Sequence, residues 1–173
     1  MSAHVTDRLP LSAGQADIWF DEQASGGSRA YNTAGYLEIR GPLDHTAFAA
    51  AAARLAEEAE CMRTRFVTGA DGLPTQVVEE LPRLPLAVLD LSGAADPDAA
   101  AAEWMRADLD RPLDEFPLFR LGLLRVGPER ALFYMCIHHL LCDGFSQTVF
   151  WRRLGELYTG AKSGNVLRHA CPG

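Results

Sequence analysis

Apolar and polar positions alternate along this chain in two rhythms, and the switches between them predict the order of its elements. A helix is expected from Ser12, because Ser12-Ala13-Gly14-Gln15 fits a capping box in which serine and glutamine satisfy the open amides of the first turn. Ile18, Trp19 and Phe20 supply its apolar side, and Ser25-Gly26-Gly27-Ser28 ends it. Tyr36 to Arg40 alternates as a strand, with Leu37 and Ile39 on one face. Gly41-Pro42 breaks that strand, and Asp44 is placed to cap a helix over His45 to Ala59 whose buried stripe carries Phe48 and Leu55. Cys61–Val67 reads as a strand, with Met62, Thr64 and Phe66 pointing one way and Arg63 and Arg65 the other. Gly69-Ala70-Asp71-Gly72 is a hairpin turn, and Gln76–Val78 is the returning strand.

Pro82 and Pro85 carry the chain to a short strand, Leu86–Leu89. Asp96-Pro97, a cap followed by proline at the first helical position, starts a helix running to about Leu109. Two strands follow, Leu118–Val126 and Ala131–Ile137, joined by Gly127-Pro128-Glu129-Arg130. The second is almost continuously apolar, as a strand covered on both faces should be. A final helix is expected over Phe145 to Tyr158, with Val149, Phe150 and Leu154 inward. Residues 161–173 show no periodicity and read as a disordered tail behind a single lobe spanning 1–160. This order of elements gives an α/β (α+β) fold, a mixed sheet packed with helices.

Composition narrows the functional classes. With 173 residues and a net charge of -7, the chain can build one real core and lacks the basic footprint that phosphate backbones or anionic lipid require. No nucleic acid and no membrane partner is therefore expected. The start of the chain has no basic segment followed by an apolar run, and no stretch approaches bilayer length, so a cytoplasmic protein is expected. Cys61, Cys136, Cys142 and Cys171 form no pair at metal-ligand spacing and read as reduced thiols.

The candidate chemistry lies in His138-His139-Leu140-Leu141-Cys142-Asp143-Gly144. An apolar strand ends in two histidines, and Asp-Gly then introduces a helix. Strand ends are where a rigid scaffold presents side chains to a crevice. A histidine there can be neutral near pH 7 and accept a proton from an attacking nucleophile. Adjacent histidines on a strand point to opposite faces, converge poorly on one ion, and have no carboxylate–histidine set beside them, so no metal is expected. Gly144 gives the loop backbone freedom, and Asp143 can fix it by pairing with an arginine; Arg63 and Arg65 are the local candidates, although a solvated strand face explains them equally well. Cys142 has no base beside it and is not read as a nucleophile.

These residues resemble the HHxxxDG signature of non-ribosomal peptide synthetase condensation domains and of the chloramphenicol-acetyltransferase-like superfamily. Ser12-Ala13-Gly14-Gln15 with Trp19, Gly41-Pro42-Leu43-Asp44, Met62-Arg63-Thr64-Arg65-Phe66 and Phe116-Pro117-Leu118-Phe119-Arg120 resemble further motifs of the same domains, in family order from Pro10 to Tyr158. The chain departs from the family at Glu58-Ala59 before Glu60, where Arg-His is common. Phe145-Ser146-Gln147 resembles the condensation type, and in particular siderophore synthetases, more than epimerisation domains, and His138 and His139 argue against heterocyclisation.

The resemblance implies a chloramphenicol-acetyltransferase-like single lobe, the N-terminal half of a two-lobed domain that joins an amine and a thioester carried on phosphopantetheine arms of carrier proteins. It implies that His139 lies at the centre of the tunnel, either removing the amine's proton or positioning the amine, with His138 packing behind it, Gly144 shaping the loop, and Asp143 doing so through an ion pair whose partner is either a local arginine, Arg63 or Arg65, or a residue of the C-terminal half. Ser146 is expected to cap the last helix. No cofactor of the chain's own is implied. Expected partners are carrier proteins and the C-terminal lobe, without which the chain should be inactive. The alternatives are a non-catalytic module that binds a carrier or subunit, and an acyltransferase that completes its site by self-association.

Overall fold

The structure is a computed structural model and describes residues 8–26, 29–161 and 168–170. A short strand β1 (Leu9–Pro10) leads into helix α1 (Ala13–Ser25), strand β2 (Asn32–Arg40) and helix α2 (His45–Glu58). A hairpin of β3 (Thr64–Thr68) and β4 (Pro74–Val78) follows, then strand β5 (Leu86–Asp90) and helix α3 (Pro97–Leu109). The chain closes with β6 (Phe119–Gly127), β7 (Arg130–His138), helix α4 (Gly144–Ala161) and strand β8 (Arg168–Ala170). The five-stranded sheet has the order β5-β6-β7-β2-β8, with β5 parallel to β6 and the other neighbours antiparallel. β1, β4 and β3 form a separate antiparallel sheet. The mixed sheet and packed helices are those the hydrophobic pattern predicts.

The period of β7 explains the layering. Phe133, Met135 and Ile137 point to one face, where α2 and α4 bury Phe48, Leu55, Phe150, Leu154 and Tyr158 against them. Phe48 meets the rings of Phe133 and Tyr158 at 4.9 and 5.4 Å, edge to face. Leu132, Tyr134 and Cys136 point to the other face, beneath Ala101, Trp104 and Met105 of α3. Trp104 can lie on the sheet only because β6 has glycine beneath it; a Cβ on Gly122 would stand 2.7 Å from two carbons of the indole. β7 is thus covered on both faces, as its composition predicts.

The expected caps form. Ser12 accepts from the Gln15 amide while Gln15 accepts from the Ser12 amide, and Asp44 and Asp96 accept from the third residues of α2 and α3. Gly72, at a φ of 81°, turns the β3–β4 hairpin in a conformation only glycine adopts readily.

Four expectations need correction. β2 begins at Asn32 and not Tyr36, because β7 pairs with it along its whole length, from Asn32 opposite His138 to Arg40 opposite Arg130. Glu60–Arg63 is a 3-10 turn, so β3 starts only at Thr64; the Met62 amide turns back to the Ala59 carbonyl, and Arg63 Nε donates to Glu57 O at the end of α2. α1 has no buried residue: Ile18 and Trp19 are partly covered, and Phe20 is 54% exposed. On α4, Val149 also faces outward, one turn from the exposed Phe145, while Phe150 and Leu154 enter the core.

The tail expected over 161–173 falls largely outside the described residues; those described include Arg168–Ala170, whose backbone pairs with Tyr36–Glu38 of β2. Among the described residues no helix is long and apolar enough to cross a membrane.

Candidate active site

β7 delivers His138 to the edge of the core and stops. The His138 amide still donates to Leu118 O at 3.0 Å, but the His139 amide leaves the ladder and donates to Tyr31 O at 2.8 Å. The Leu141 amide then turns back to His138 O at 2.9 Å. This turn separates the two histidines completely. His138 is buried, with 1% of its surface accessible, while His139 presents its side chain to solvent.

The ring of His138 is spoken for at both nitrogens. Nδ1 accepts from the Leu140 amide at 3.1 Å, and Nε2 lies 2.8 Å from Glu22 Oε1. A backbone N–H can only donate, so Nδ1 must be the unprotonated nitrogen. The remaining proton sits on Nε2 and is donated to Glu22. The neutral ring has no lone pair left over for a substrate proton, which assigns it to the scaffold. His139 is the exposed member of the pair.

Asp143 acts locally. Its Oδ1 accepts from the Ser146 amide at 2.8 Å and the Ser146 hydroxyl at 2.7 Å, and its carbonyl accepts from the Gln147 amide. Asp143 is therefore the N-cap of α4, and Ser146, expected to cap, is the residue that donates to the cap. The Ser146 hydroxyl and amide together hold the Asp143 carboxyl below its usual range. Arg63 and Arg65, the pairing candidates, are engaged elsewhere. Arg63 donates to Glu57 O and Glu79 O, and Arg65 stands 3.6 Å from Glu79.

Gly144 is the first residue of α4, does not have a positive φ, and a Cβ there would meet nothing within 4 Å. The backbone freedom expected of it is not used in this conformation. Cys142 is buried, and burial pushes its thiol up to about 12, which leaves too little thiolate for nucleophilic work.

The sequence places helix α1 but does not reveal that it holds this loop. Gln15 donates from Nε2 to Leu140 O at 3.1 Å, so its side chain closes the capping box and ties down the motif at once. Glu22 and Gln15 lie seven positions apart, on one stripe of α1 with Ile18 and Trp19. That pair of polar residues on an otherwise apolar stripe is the signal that could have found them.

Beside this loop is a cavity of about 680 Å³, lined by Trp19 and Glu22 of α1, Arg65 and Phe66 of β3, and Phe116 and Leu140. Arg120 fixes its far wall. The guanidinium donates to Asp108 Oδ1 and to the carbonyls of Asp108, Arg111 and Pro112, holding the loop that runs from α3 to β6. Among the described residues no group of three or more His, Cys, Asp or Glu is arranged to hold a metal ion.

Comparison with known proteins agrees with this arrangement. The family model for the condensation domain matches residues 5–170. The isonitrile lipopeptide synthase of Streptomyces coeruleorubidus is 38% identical over 165 residues, covering 94% of this chain and 11% of that protein. The dimodular nonribosomal peptide synthase of Bacillus subtilis (strain 168) is 37% identical over 160 residues, covering 91% and 7%. Among solved structures, the starter condensation domain of the rhizomide synthetase RzmA superposes with a TM-score of 0.85 at 34% identity, over 95% of this chain and 40% of that one. The first condensation domain of the CDA synthetase gives 0.84 at 31% identity, over 96% and 43%. The chain thus spans about two fifths of these solved domains and a small fraction of the curated relatives. A histidine pair divided between core and surface, on a sheet of this order and with a family match along nearly the whole chain, makes the protein a member of the condensation-domain family.

Proposed function

We propose that this chain supplies the histidine-bearing wall of a site that forms amide bonds between substrates held as thioesters on carrier proteins. The α-amine of one substrate attacks the thioester carbonyl of the other; a C–N bond forms, the C–S bond breaks, and the amine's proton is lost as the phosphopantetheine thiol leaves. His139 is the residue that meets the amine, as hydrogen-bond acceptor or base. The observation that carries this reading is the asymmetry of the pair: His138 has both nitrogens engaged inside the protein, whereas His139 projects into solvent from a backbone fixed on either side.

Holding both reactants at one histidine turns a bimolecular step into an effectively intramolecular one. That advantage needs a second wall to exclude water and align the donor carbonyl. In this reading the wall comes from the additional length that the solved relatives carry, and the chain by itself is inactive. The partners are carrier-protein domains, with their pantetheine arms bringing both substrates. The test is amide formation from two loaded carriers by the chain assembled with such a second segment. His139→Ala should abolish the product, and a mutant that condenses at the wild-type rate would remove His139 from the chemistry.

A further inference from the structure

α1 is an unusual element to find next to a reaction centre, because it buries no residue of its own and yet holds the motif loop at several points. Glu22, with a side chain 17% accessible, faces Nε2 of His138, whose ring is 1% accessible. The Leu140 amide occupies Nδ1 on the other side of that ring, and Gln15 holds the Leu140 carbonyl. The residue immediately after His139 is thus gripped by both of its backbone polar groups. Tyr31 O grips the amide of His139 itself, and Tyr31 is tied to α1 through its hydroxyl, which donates to Asp21.

We infer that Glu22 is a positioning residue for His139, acting through the ring of His138. Glu22 accepts only, so it demands a proton on Nε2. A neutral imidazole has one N–H, so that demand leaves Nδ1 as an acceptor, and Nδ1 then orients the Leu140 amide. Turning the ring over would set carbon atoms against both partners and leave a buried amide unpaired. The carboxylate and the Leu140 amide thus demand the same tautomer, and the carboxylate anchors the ring in the orientation that holds the peptide plane following His139. Gln15 fixes the next peptide, through the Leu140 carbonyl, and does so without touching the ring. The inference rests on the reading of His139 as the residue that meets the amine; the tautomer itself can be measured whether or not that reading holds.

The first experiment is a long-range proton–nitrogen correlation spectrum of the histidine rings in this chain. Wild-type His138 should show a protonated Nε2 and an unprotonated Nδ1. Glu22→Ala should lose that pattern, through tautomer mixing or ring reorientation, and Glu22→Gln should restore it, because the glutamine carbonyl also accepts. Gln15→Ala should leave the ring pattern intact. Circular dichroism and melting check that each variant folds; if Glu22→Ala does not, the wild-type, Glu22→Gln and Gln15→Ala spectra still decide the tautomer. A wild-type ring protonated at Nδ1, or a folded Glu22→Ala chain with the unchanged pattern, would overturn the assignment.

The second arm is amide formation by the assembled domain. Glu22→Ala and Gln15→Ala should each lower kcat by roughly 10- to 100-fold with KM little changed, the loss expected when a reacting group is displaced by a fraction of its own diameter, and Glu22→Gln should recover most of it. Loss of the tautomer without loss of kcat would sink the positioning role. If wild-type protein makes no amide at all, the proposed function has failed, while the ring spectrum still tells whether Glu22 governs His138.

Discussion

Replacing Arg120 with leucine should be among the most damaging single changes in this protein, and the reason lies in what it leaves behind. The Arg120 side chain is 16% accessible and its Nε stands 2.9 Å from Asp108, whose side chain is only 5% accessible. Its remaining N–H groups satisfy the carbonyls of Asp108, Arg111 and Pro112 at 2.7 to 3.0 Å. Leucine fills part of the volume and satisfies none of these acceptors. Asp108 keeps a 3.2 Å contact with Arg111, but that arginine is 68% accessible and so a weak, water-screened partner. Breaking a buried pair by removing one member costs about 3–5 kcal/mol. For a chain of this size that corresponds to a fall in Tm of roughly 6–20 °C. The assay is thermal and urea unfolding of the wild type, Arg120→Leu, Asp108→Leu and the double variant. The double variant should lose clearly less than the sum of the singles, because it removes the orphaned carboxylate along with its partner. A loss below about 1 kcal/mol for Arg120→Leu, the range of a surface pair, would refute the account of this loop.

Other expectations are narrower. Gly122→Ala drives a Cβ to 2.7 Å from the Trp104 indole, and overpacking of this kind should cost about 1–3 kcal/mol by urea unfolding, with relief when Trp104 is also made smaller. Cys142, its thiol pushed up to about 12 by burial, should resist iodoacetamide at pH 7 in the native chain and react once urea is added; equal rates in both states would contradict its placement. The Asp143 carboxyl titrates below its ordinary value in the folded chain because Ser146 donates to it, so its cap stabilises α4 fully above the unfolded aspartate value of about 3.9 and loses that effect as pH falls through the lower folded value. Ser146→Ala should raise the folded titration midpoint, read from the carboxyl carbon by NMR, and an unmoved midpoint would reassign the cause.

Much of the fold was legible because local chemistry and global packing agree. Ser12 with Gln15, Asp44, and Asp96 with Pro97 announce helix starts that the structure contains, and the unbroken apolar run of β7 announces a strand with helices on both faces. What was illegible depended on partners distant in sequence. Asn32 to Gly35 have no alternation of their own and become strand only because β7 is long enough to pair with them. Met62 fits a strand period but sits in a turn that packs it fully into the core. At the site, the histidine pair and Asp143 could be found in the sequence, and the resemblance implied that His138 packs behind His139, but the bonds that hold these residues could not be read. It took the position of Glu22 to show that His138 is held, and the bonds from Ser146 to show that Asp143 caps a helix and does not pair with Arg63 or Arg65.

The role of His139 is decided by single-turnover amide formation between two loaded carrier proteins, run with this chain alone, with the chain plus a separately expressed segment carrying the remaining length of a condensation domain, and with His139→Ala in both settings. Product should form only in the combined reaction and not with the mutant. Product from the chain alone at a His139-dependent rate would show that it completes its own site, by self-association; product that survives His139→Ala would contradict the assignment of the chemistry to this histidine.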